Sequence, residues 1–312
     1  MTIRAYAAGA LFVALGGCSA QRARPPETPG LELRDSLGRF VFVDHRGDAG
    51  RPVNVCYYRP GTWTDTSWVV FFLTGSNREP RDVCRGRSEA PNIAAARRYG
   101  YMLVAPEFDP RHYPGRAGYN FGNMVDSRGR ARPRDRWTLL LLEHLFDAVR
   151  DASGARRNEY LAFGFSAGAQ YVQRLVLFVP EARVRRAIAA DAGAYALPDP
   201  RTRLPYGLSG SGLSADELRN AFARDFIVFV GEADTSTAEH ADWPEAQQQG
   251  PHRLARARWF VKESRALASS AGATFAWRLS IVDGVGHEGG RMVRVIVDSL
   301  FRGIQPRLGG AR

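Results

Sequence analysis

Short apolar runs of strand length alternate along the chain with longer segments whose apolar residues recur at helical spacing. The runs at 68–73, 101–105 and 226–230 are nearly continuous in β-branched and aromatic residues, which is typical of strands buried on both faces. Segments 137–153 and 252–271 carry a helical pattern, and each is followed by glycine. This alternation predicts an α/β domain: a mostly parallel central sheet of about eight strands with helices on both faces.

Two segments break this alternation and predict loops that cover a pocket. Residues 109–136 and 194–215 carry proline, glycine and aromatic residues without a period. Long irregular segments in a folded domain are commonly functional. Tyr119 and Tyr195 in these segments, and Trp243 in a third loop that follows the strand pattern at 226–230, are predicted to contact the substrate, since aromatic side chains suit an apolar acyl or hydroxyacyl group.

The first thirty residues have the features of an export signal followed by a tether, and they are not expected to be part of the folded domain. Arg4 precedes an apolar run at 5–15, and small residues then lead to Cys18, so residues 1–17 have the layout of a signal peptide. The tetrad Leu-Gly-Gly-Cys resembles the bacterial lipobox, which implies that Cys18 is lipidated and anchors the mature chain to a membrane of the cell envelope, facing the periplasm or the exterior. An ordinary signal peptide with an incidental cysteine is the alternative. Residues 18–30 predict a proline-rich tether, and 31–312 the folded domain.

The net charge of +11 comes almost entirely from arginine, because Lys262 is the only lysine among 43 basic residues. The arginines are scattered along the chain and form no stripe, which favours solvated faces over a nucleic-acid surface. No nucleic-acid partner is expected, whereas affinity for anionic lipid headgroups stays open. Export also permits a disulfide between Cys56 and Cys84, although the sequence allows two free thiols equally well.

The stretch Gly-Phe-Ser-Ala-Gly places Ser166 between an apolar strand pattern at 160–165 and a helical pattern that follows. This strand–turn–helix context is the one that a nucleophile elbow requires. Gly164 and Gly168 leave room for the chain to reverse sharply, because they lack the Cβ atoms that would collide. Ser166 is therefore predicted to be the catalytic nucleophile; a glycine-rich turn that binds phosphate, or nothing, is the alternative.

A serine nucleophile needs a base and an acid that orients it, and in this architecture they follow the serine as acid and then histidine. His287 stands in a glycine-rich loop just after the last strand pattern and is preferred to His240 and His252, which precede a helix. Asp234 follows a buried strand and is the preferred acid. Asp191, at the end of the preceding strand, competes with it.

An acyl-transfer site also needs backbone N–H groups for the oxyanion. The N–H groups of Ala167, next to the nucleophile, and of Ser76, in the loop after the third strand, are the predicted donors, with Asn77 as the alternative to Ser76.

The motifs FFLTGSN, VAPEFD, GFSAGAQY, VGEADT and GVGHEGG occur in this order. With them the chain resembles the α/β-hydrolase superfamily, and more narrowly bacterial serine esterases similar to poly(3-hydroxyalkanoate) depolymerases. Thr74 departs from the pattern, because many relatives have histidine there. The resemblance implies that small-molecule or polymeric esters are hydrolysed through an acyl-enzyme, with no metal or organic cofactor. A peptidase or acyltransferase would use the same triad, and a non-catalytic envelope lipoprotein could keep the fold for binding.

Overall fold

The computed structural model describes residues 31–33, 36–47, 50–238 and 242–304. The predicted signal peptide, Cys18 and the whole predicted tether lie outside the described residues, as does His240. Within the described ranges, no helix combines the length and the apolar character needed to cross a lipid bilayer.

The central element is one eight-stranded sheet in the order β1-β2-β4-β3-β5-β6-β7-β8. β1 and β2 are antiparallel to their neighbours, and the pairs from β4 to β8 are parallel. This confirms the predicted fold class. The strands are β1 (Leu37–Val43), β2 (Pro52–Tyr58), β3 (Val69–Leu73), β4 (Met102–Glu107), β5 (Tyr160–Phe165), β6 (Val184–Ala190), β7 (Phe226–Gly231) and β8 (Arg278–Val282).

Helices cover both faces of the sheet because the inner strands present apolar side chains on each side. In β3, Val69 and Phe71 pack into a cluster with α4, α5 and α8, whereas Val70 packs into a second cluster with α2 and α9. The helices are α1 (Arg81–Cys84), α2 (Pro91–Tyr99), α3 (Gly115–Gly118), α4 (Leu139–Ser153), α5 (Ala167–Phe178), α6 (Ala215–Phe222), α7 (Pro244–Gln247), α8 (Arg253–Ser270) and α9 (Gly289–Phe301).

The predicted loop 109–136 is packed against the domain and includes α3. Tyr113 and Tyr119 within it are fully buried. Arg78, which follows β3, donates hydrogen bonds from its guanidinium to the carbonyl oxygens of Tyr113 and, at 2.7 Å, Gly115. These contacts attach the start of this loop to the segment that follows β3.

Cys56 and Cys84 form a disulfide with their Cα atoms 5.0 Å apart, which settles a question that the sequence left open. The bond joins the buried strand β2 to the last residue of α1. Because 28 residues separate the two cysteines, closing this loop in the unfolded chain stabilises the fold by about 3.5 kcal/mol in the chain-entropy account. The disulfide therefore fixes α1, a short helix that forms part of the cavity wall described below.

Candidate active site

Ser166 occupies a sharp turn between β5 and α5. Its backbone has φ 54° and ψ −109°, a conformation that non-glycine residues rarely adopt and that costs about 1–3 kcal/mol. The turn is held on one side by the Ser166 N–H, which donates to the Ala190 carbonyl at 2.9 Å. The strained backbone lifts the half-buried side chain away from the sheet at the N-terminus of α5.

The two glycines of the motif allow this turn because backbone segments cross at contact distance there. A Cβ on Gly168 would lie 2.0 Å from the Leu73 carbonyl oxygen, and one on Gly164 would lie 2.3 Å from the Gly168 oxygen. Such distances are closer than any real Cβ contact, and the obstructing atoms are backbone. The glycines thus permit the sharp reversal that the sequence predicted, and they also let α5 pack closely against β3 and β5.

The loop after β3 lies directly beside the serine. A Cβ on Gly75 would be 3.7 Å from the Ser166 Cβ, and Ser76 lines the same cavity as Ser166. Ala167 is the first residue of α5, so its N–H belongs to the four at a helix start that have no partner within the helix. The structure brings together the two segments from which oxyanion donors were predicted.

A buried hydrogen bond supports this loop from below. The Tyr119 hydroxyl donates to the Thr74 carbonyl oxygen at 2.7 Å, and the Tyr119 ring packs against Phe108 with centroids 5.0 Å apart. Thr74, at the position where many relatives have histidine, is buried. Its carbonyl oxygen is held by the hydrogen bond from Tyr119, whose ring belongs to the core.

His287 and Asp234 form a hydrogen-bonded pair at the carboxyl end of the sheet. The His287 Nδ1 lies 2.9 Å from the Asp234 Oδ2, and the aspartate side chain is 1% exposed. The imidazole stacks on Phe165, with ring centroids 4.7 Å apart. His287 and Ser166 line one cavity, so an Asp234-bound Nδ1 leaves Nε2 of the ring for the serine proton.

Arg253, the first residue of α8, donates from Nη1 to the Asp234 Oδ1 at 3.3 Å, and both side chains are at least 95% buried. Burial alone raises the pKa of Asp234. The hydrogen bond from His287 and the charge of Arg253 outweigh that effect, so the pKa lies below its usual value. Sequence reasoning missed Arg253. Its only signal is a cation in the first turn of a helix, where the helix dipole disfavours it.

Asp191, the competing acid, belongs to the same cluster but is not the partner of the imidazole. It is fully buried, and its Oδ1 accepts a hydrogen bond from the Gly231 N–H at 2.9 Å. Asp191, Asp234 and His287 each place one potential metal ligand within 4.8 Å of the others. However, the Asp234 oxygens already accept from His287 and Arg253. These contacts favour a hydrogen-bonded cluster over a metal centre.

The cavity above Ser166 has a volume of about 520 Å³. Its walls come from the segments after β3 and β5, from α1, the start of α2, and the start of α9. The apolar part of the lining includes Phe72, Phe165, Pro91 and Val293. Besides Ser166 and His287, its lining comprises Phe72, Thr74, Gly75, Ser76, Asn77, Glu79, Pro80, Arg81, Asp82, Pro91, Asn92, Phe165, Gly289, Gly290 and Val293.

The three predicted substrate contacts do not line this cavity. Tyr119 lies beneath the loop after β3, as described above. Tyr195 is fully buried against Phe260, with ring centroids 4.4 Å apart, and Trp243 packs in a separate small cluster with Phe121. Loops 109–136 and 194–215 therefore supply packing aromatics here, and no residue of either loop belongs to the cavity lining.

His252 has a structural position at the N-cap of α8. Its Nδ1 accepts a hydrogen bond from the Ala255 N–H at 3.3 Å. His252 was one of the two alternatives to His287 as the base. This contact gives it a helix-capping role, and His252 does not line the cavity.

Comparisons with known proteins find solved structures with a similar fold. Poly(aspartic acid) hydrolase-1 from Sphingomonas sp. KT-1 is 34% identical, with a TM-score of 0.79 over 86% of this chain and 100% of that one. The poly(3-hydroxybutyrate) depolymerase LpqC from Bordetella parapertussis is 33% identical, with a TM-score of 0.79 over 87% and 91%. An S-formylglutathione hydrolase from Agrobacterium tumefaciens, 17% identical with a TM-score of 0.52 over 88% and 95%, shares the fold. No family model and no curated protein sequence matches the chain.

Proposed function

This chain belongs to the α/β-hydrolase superfamily, and from that premise we propose that it hydrolyses carboxylic esters with Ser166, His287 and Asp234 as its catalytic triad. One observation carries the proposal: a serine on a strained elbow and a histidine bonded to a buried aspartate open onto the same cavity. This set supplies a nucleophile, a base and the group that orients the base.

In the first half of the reaction, the Ser166 Oγ attacks the ester carbonyl carbon while His287 Nε2 takes the hydroxyl proton. Asp234 remains ionised and stabilises the imidazolium that forms. The carbonyl oxygen becomes an oxyanion that accepts hydrogen bonds from the Ala167 and Ser76 N–H groups. The C–O bond then breaks, His287 protonates the departing alkoxide, and the acyl group stays on Ser166.

In the second half, a water molecule replaces the alcohol beside His287. The imidazole takes one proton from the water as its oxygen attacks the acyl carbon, and a second tetrahedral oxyanion forms in the same N–H groups. Cleavage of the bond to Ser166 releases the carboxylic acid, and His287 returns the proton to the serine oxygen. The apolar wall at Phe72, Phe165 and Val293 suits the hydrocarbon part of the acyl group.

The purified domain should hydrolyse short p-nitrophenyl esters and react with a fluorophosphonate probe. Only an activated serine attacks such a probe, so we expect one label per chain, located by peptide mass mapping on Ser166. Heat-unfolded protein serves as the control and should take up no label. A folded protein that is neither labelled nor active would contradict the proposal and favour the alternative, a lipoprotein that uses this fold only for binding.

A second candidate function is hydrolysis of amide bonds in an anionic polymer. The net charge of +11 attracts polyanions to the surface, and a neighbour 34% identical is named as a poly(aspartic acid) hydrolase. The same triad cleaves amides when the pocket positions them.

Side-by-side turnover of poly(aspartic acid) and poly(3-hydroxybutyrate) separates the two candidates. If charge selects the substrate, kcat/KM for the polyanion should fall steeply between 50 and 500 mM NaCl, because salt screens the attraction. Hydrolysis of p-nitrophenyl acetate, a neutral substrate, should change little over the same range. Turnover of the neutral polyester alone would reject the second candidate.

A further inference from the structure

Asp191 follows β6 and has a backbone conformation that is uncommon for residues other than glycine. Its φ is +51°, in the left-handed region that favours glycine and asparagine. Two backbone contacts fix it there: its N–H donates to the Phe229 carbonyl at 2.9 Å, and its Oδ1 accepts from the Gly231 N–H at 2.9 Å. The carboxyl group is thus held rigidly at the end of the sheet, with no exposure to solvent.

The second carboxyl oxygen of Asp191 is the unexplained atom. Oδ2 is buried and receives a hydrogen bond from no donor within the described residues. Leaving a buried, ionised oxygen without a donor is expensive, and a second carboxylate beside it adds repulsion. One carboxyl oxygen of Asp191 and one of Asp234 lie within 4.8 Å of each other. A proton on Asp191, donated in a hydrogen bond to the Asp234 carboxylate, would remove both costs.

We propose that Asp191 is a positioning residue, protonated at neutral pH, that donates a hydrogen bond to Asp234 and so fixes the carboxylate that orients His287. The inference rests on the proposed function of that triad. Asp234 would then accept from three sides, from His287, Arg253 and Asp191, which matches the lone pairs of an ionised carboxylate. A carboxylate held on three sides keeps the plane of the imidazole constant during proton transfer.

The charges around the pair agree with one shared proton that resides on Asp191. Burial and the charge of Asp234 raise the pKa of Asp191 to about 8, although the hydrogen bond from the Gly231 N–H lowers it. The pKa of Asp234 lies below its usual value because of His287 and Arg253. The other groups facing the pair are Arg256 on α8 and the Tyr195 hydroxyl, both of which interact electrostatically with this cluster.

Two substitutions of Asp191 distinguish the effect of its hydrogen-bond donor from the effect of its strained backbone. Asp191→Asn keeps a donor and tolerates positive φ, whereas Asp191→Gly removes the donor and relaxes the backbone strain. With p-nitrophenyl acetate, we expect kcat for Asp191→Asn to stay within about 3-fold of wild type. For Asp191→Gly we expect kcat to fall by about 10- to 100-fold, the scale of a small misplacement of catalytic groups. KM should be unchanged in both, since Asp191 does not line the cavity.

The pH dependence of stability tests the proton without any turnover. The pKa of Asp191 is higher in the folded protein than in the unfolded chain, so wild type loses stability as pH rises from about 4 to about 8. Asparagine does not titrate, and the other groups cancel in the comparison. The Tm of Asp191→Asn should therefore rise relative to wild type by roughly 5–10 °C between pH 4 and pH 8.

Parallel Tm curves for wild type and Asp191→Asn would show an ionised Asp191 and overturn the proposal. Wild-type kcat in Asp191→Gly would also overturn it, because no positioning bond would then be needed. Failure of the proposed function is a separate result: it would appear as undiminished hydrolysis by a Ser166 variant, and the Tm comparison would still report the proton on Asp191.

Discussion

Replacing Ser166 with alanine should lower kcat for p-nitrophenyl ester hydrolysis by about 10⁵-fold, since the variant has no oxygen with which to form an acyl-enzyme. Alanine faces the same positive φ as serine, so the backbone strain of the elbow is retained and the fold should be unaffected. The residual rate would come from direct attack of water on the bound ester, with the oxyanion stabilised by the same N–H donors. Steady-state kinetics and fluorophosphonate labelling of the variant measure the effect, and both should be reduced to background.

Ser264→Ala is a matched control for this substitution. Ser264 is fully buried on α8, and its hydroxyl has no hydrogen-bond partner within the described residues, so its loss should leave kcat within about 2-fold of wild type. A Ser166 variant as active as this control would reject the serine mechanism.

The parts of this site that the sequence predicted are those set by local rules. The elbow is a contiguous motif between a strand and a helix, and its two glycines are explained by backbone contacts. Asp234 and His287 were placed by a topological rule: successive parallel strands end at one edge of the sheet. In the structure β5, β6 and β7 are neighbours, and Ser166 and Asp191 each follow the last residue of their strand.

The parts that could not be predicted depend on packing between distant segments. Arg253 reaches Asp234 only because the N-terminus of α8 lies on the loop after β7, where the Leu254 N–H donates to the Asp234 carbonyl oxygen. The disulfide needed a Cα separation that no spacing reveals. The aromatic residues of 109–136 were assigned to the substrate because they lie in an irregular segment. An irregular backbone can nevertheless be densely packed, and Tyr119 is fully buried.

Buried polar groups connect the cavity to the core at two points. Tyr119 ties the loop after β3 to the aromatic cluster around Phe108, and Asp234 ties His287 to Arg253 on α8. In the proposed mechanism these two contacts hold the oxyanion loop and the imidazole on rigid supports, which is what electrostatic stabilisation of a transition state requires. The cavity wall at α1, in contrast, is formed by a short helix that the Cys56–Cys84 disulfide attaches to β2.

Asp234→Asn should lower kcat by about 10⁴-fold with KM nearly unchanged, because an amide cannot stabilise the imidazolium and favours the wrong tautomer of His287. The substitution also removes the negative charge beside Arg253, whose side chain is only 5% exposed. Removing one member of a buried ion pair is destabilising, so the Tm should fall by several degrees at pH 7. Steady-state kinetics and thermal unfolding measure the two effects.

Glu232→Gln is the control for Asp234→Asn, because Glu232 lies two residues earlier on the same loop and its exposed carboxylate accepts a hydrogen bond from the Gly284 N–H, at 3.1 Å. A glutamine oxygen can accept the same bond, so this variant should keep wild-type kcat. If Asp234→Asn also kept most of its activity, the imidazole would have to obtain its charge partner elsewhere. Asp191, the remaining carboxyl group of the cluster, would then be the triad acid in its ionised form, and its positioning role would be rejected together with the assignment of Asp234.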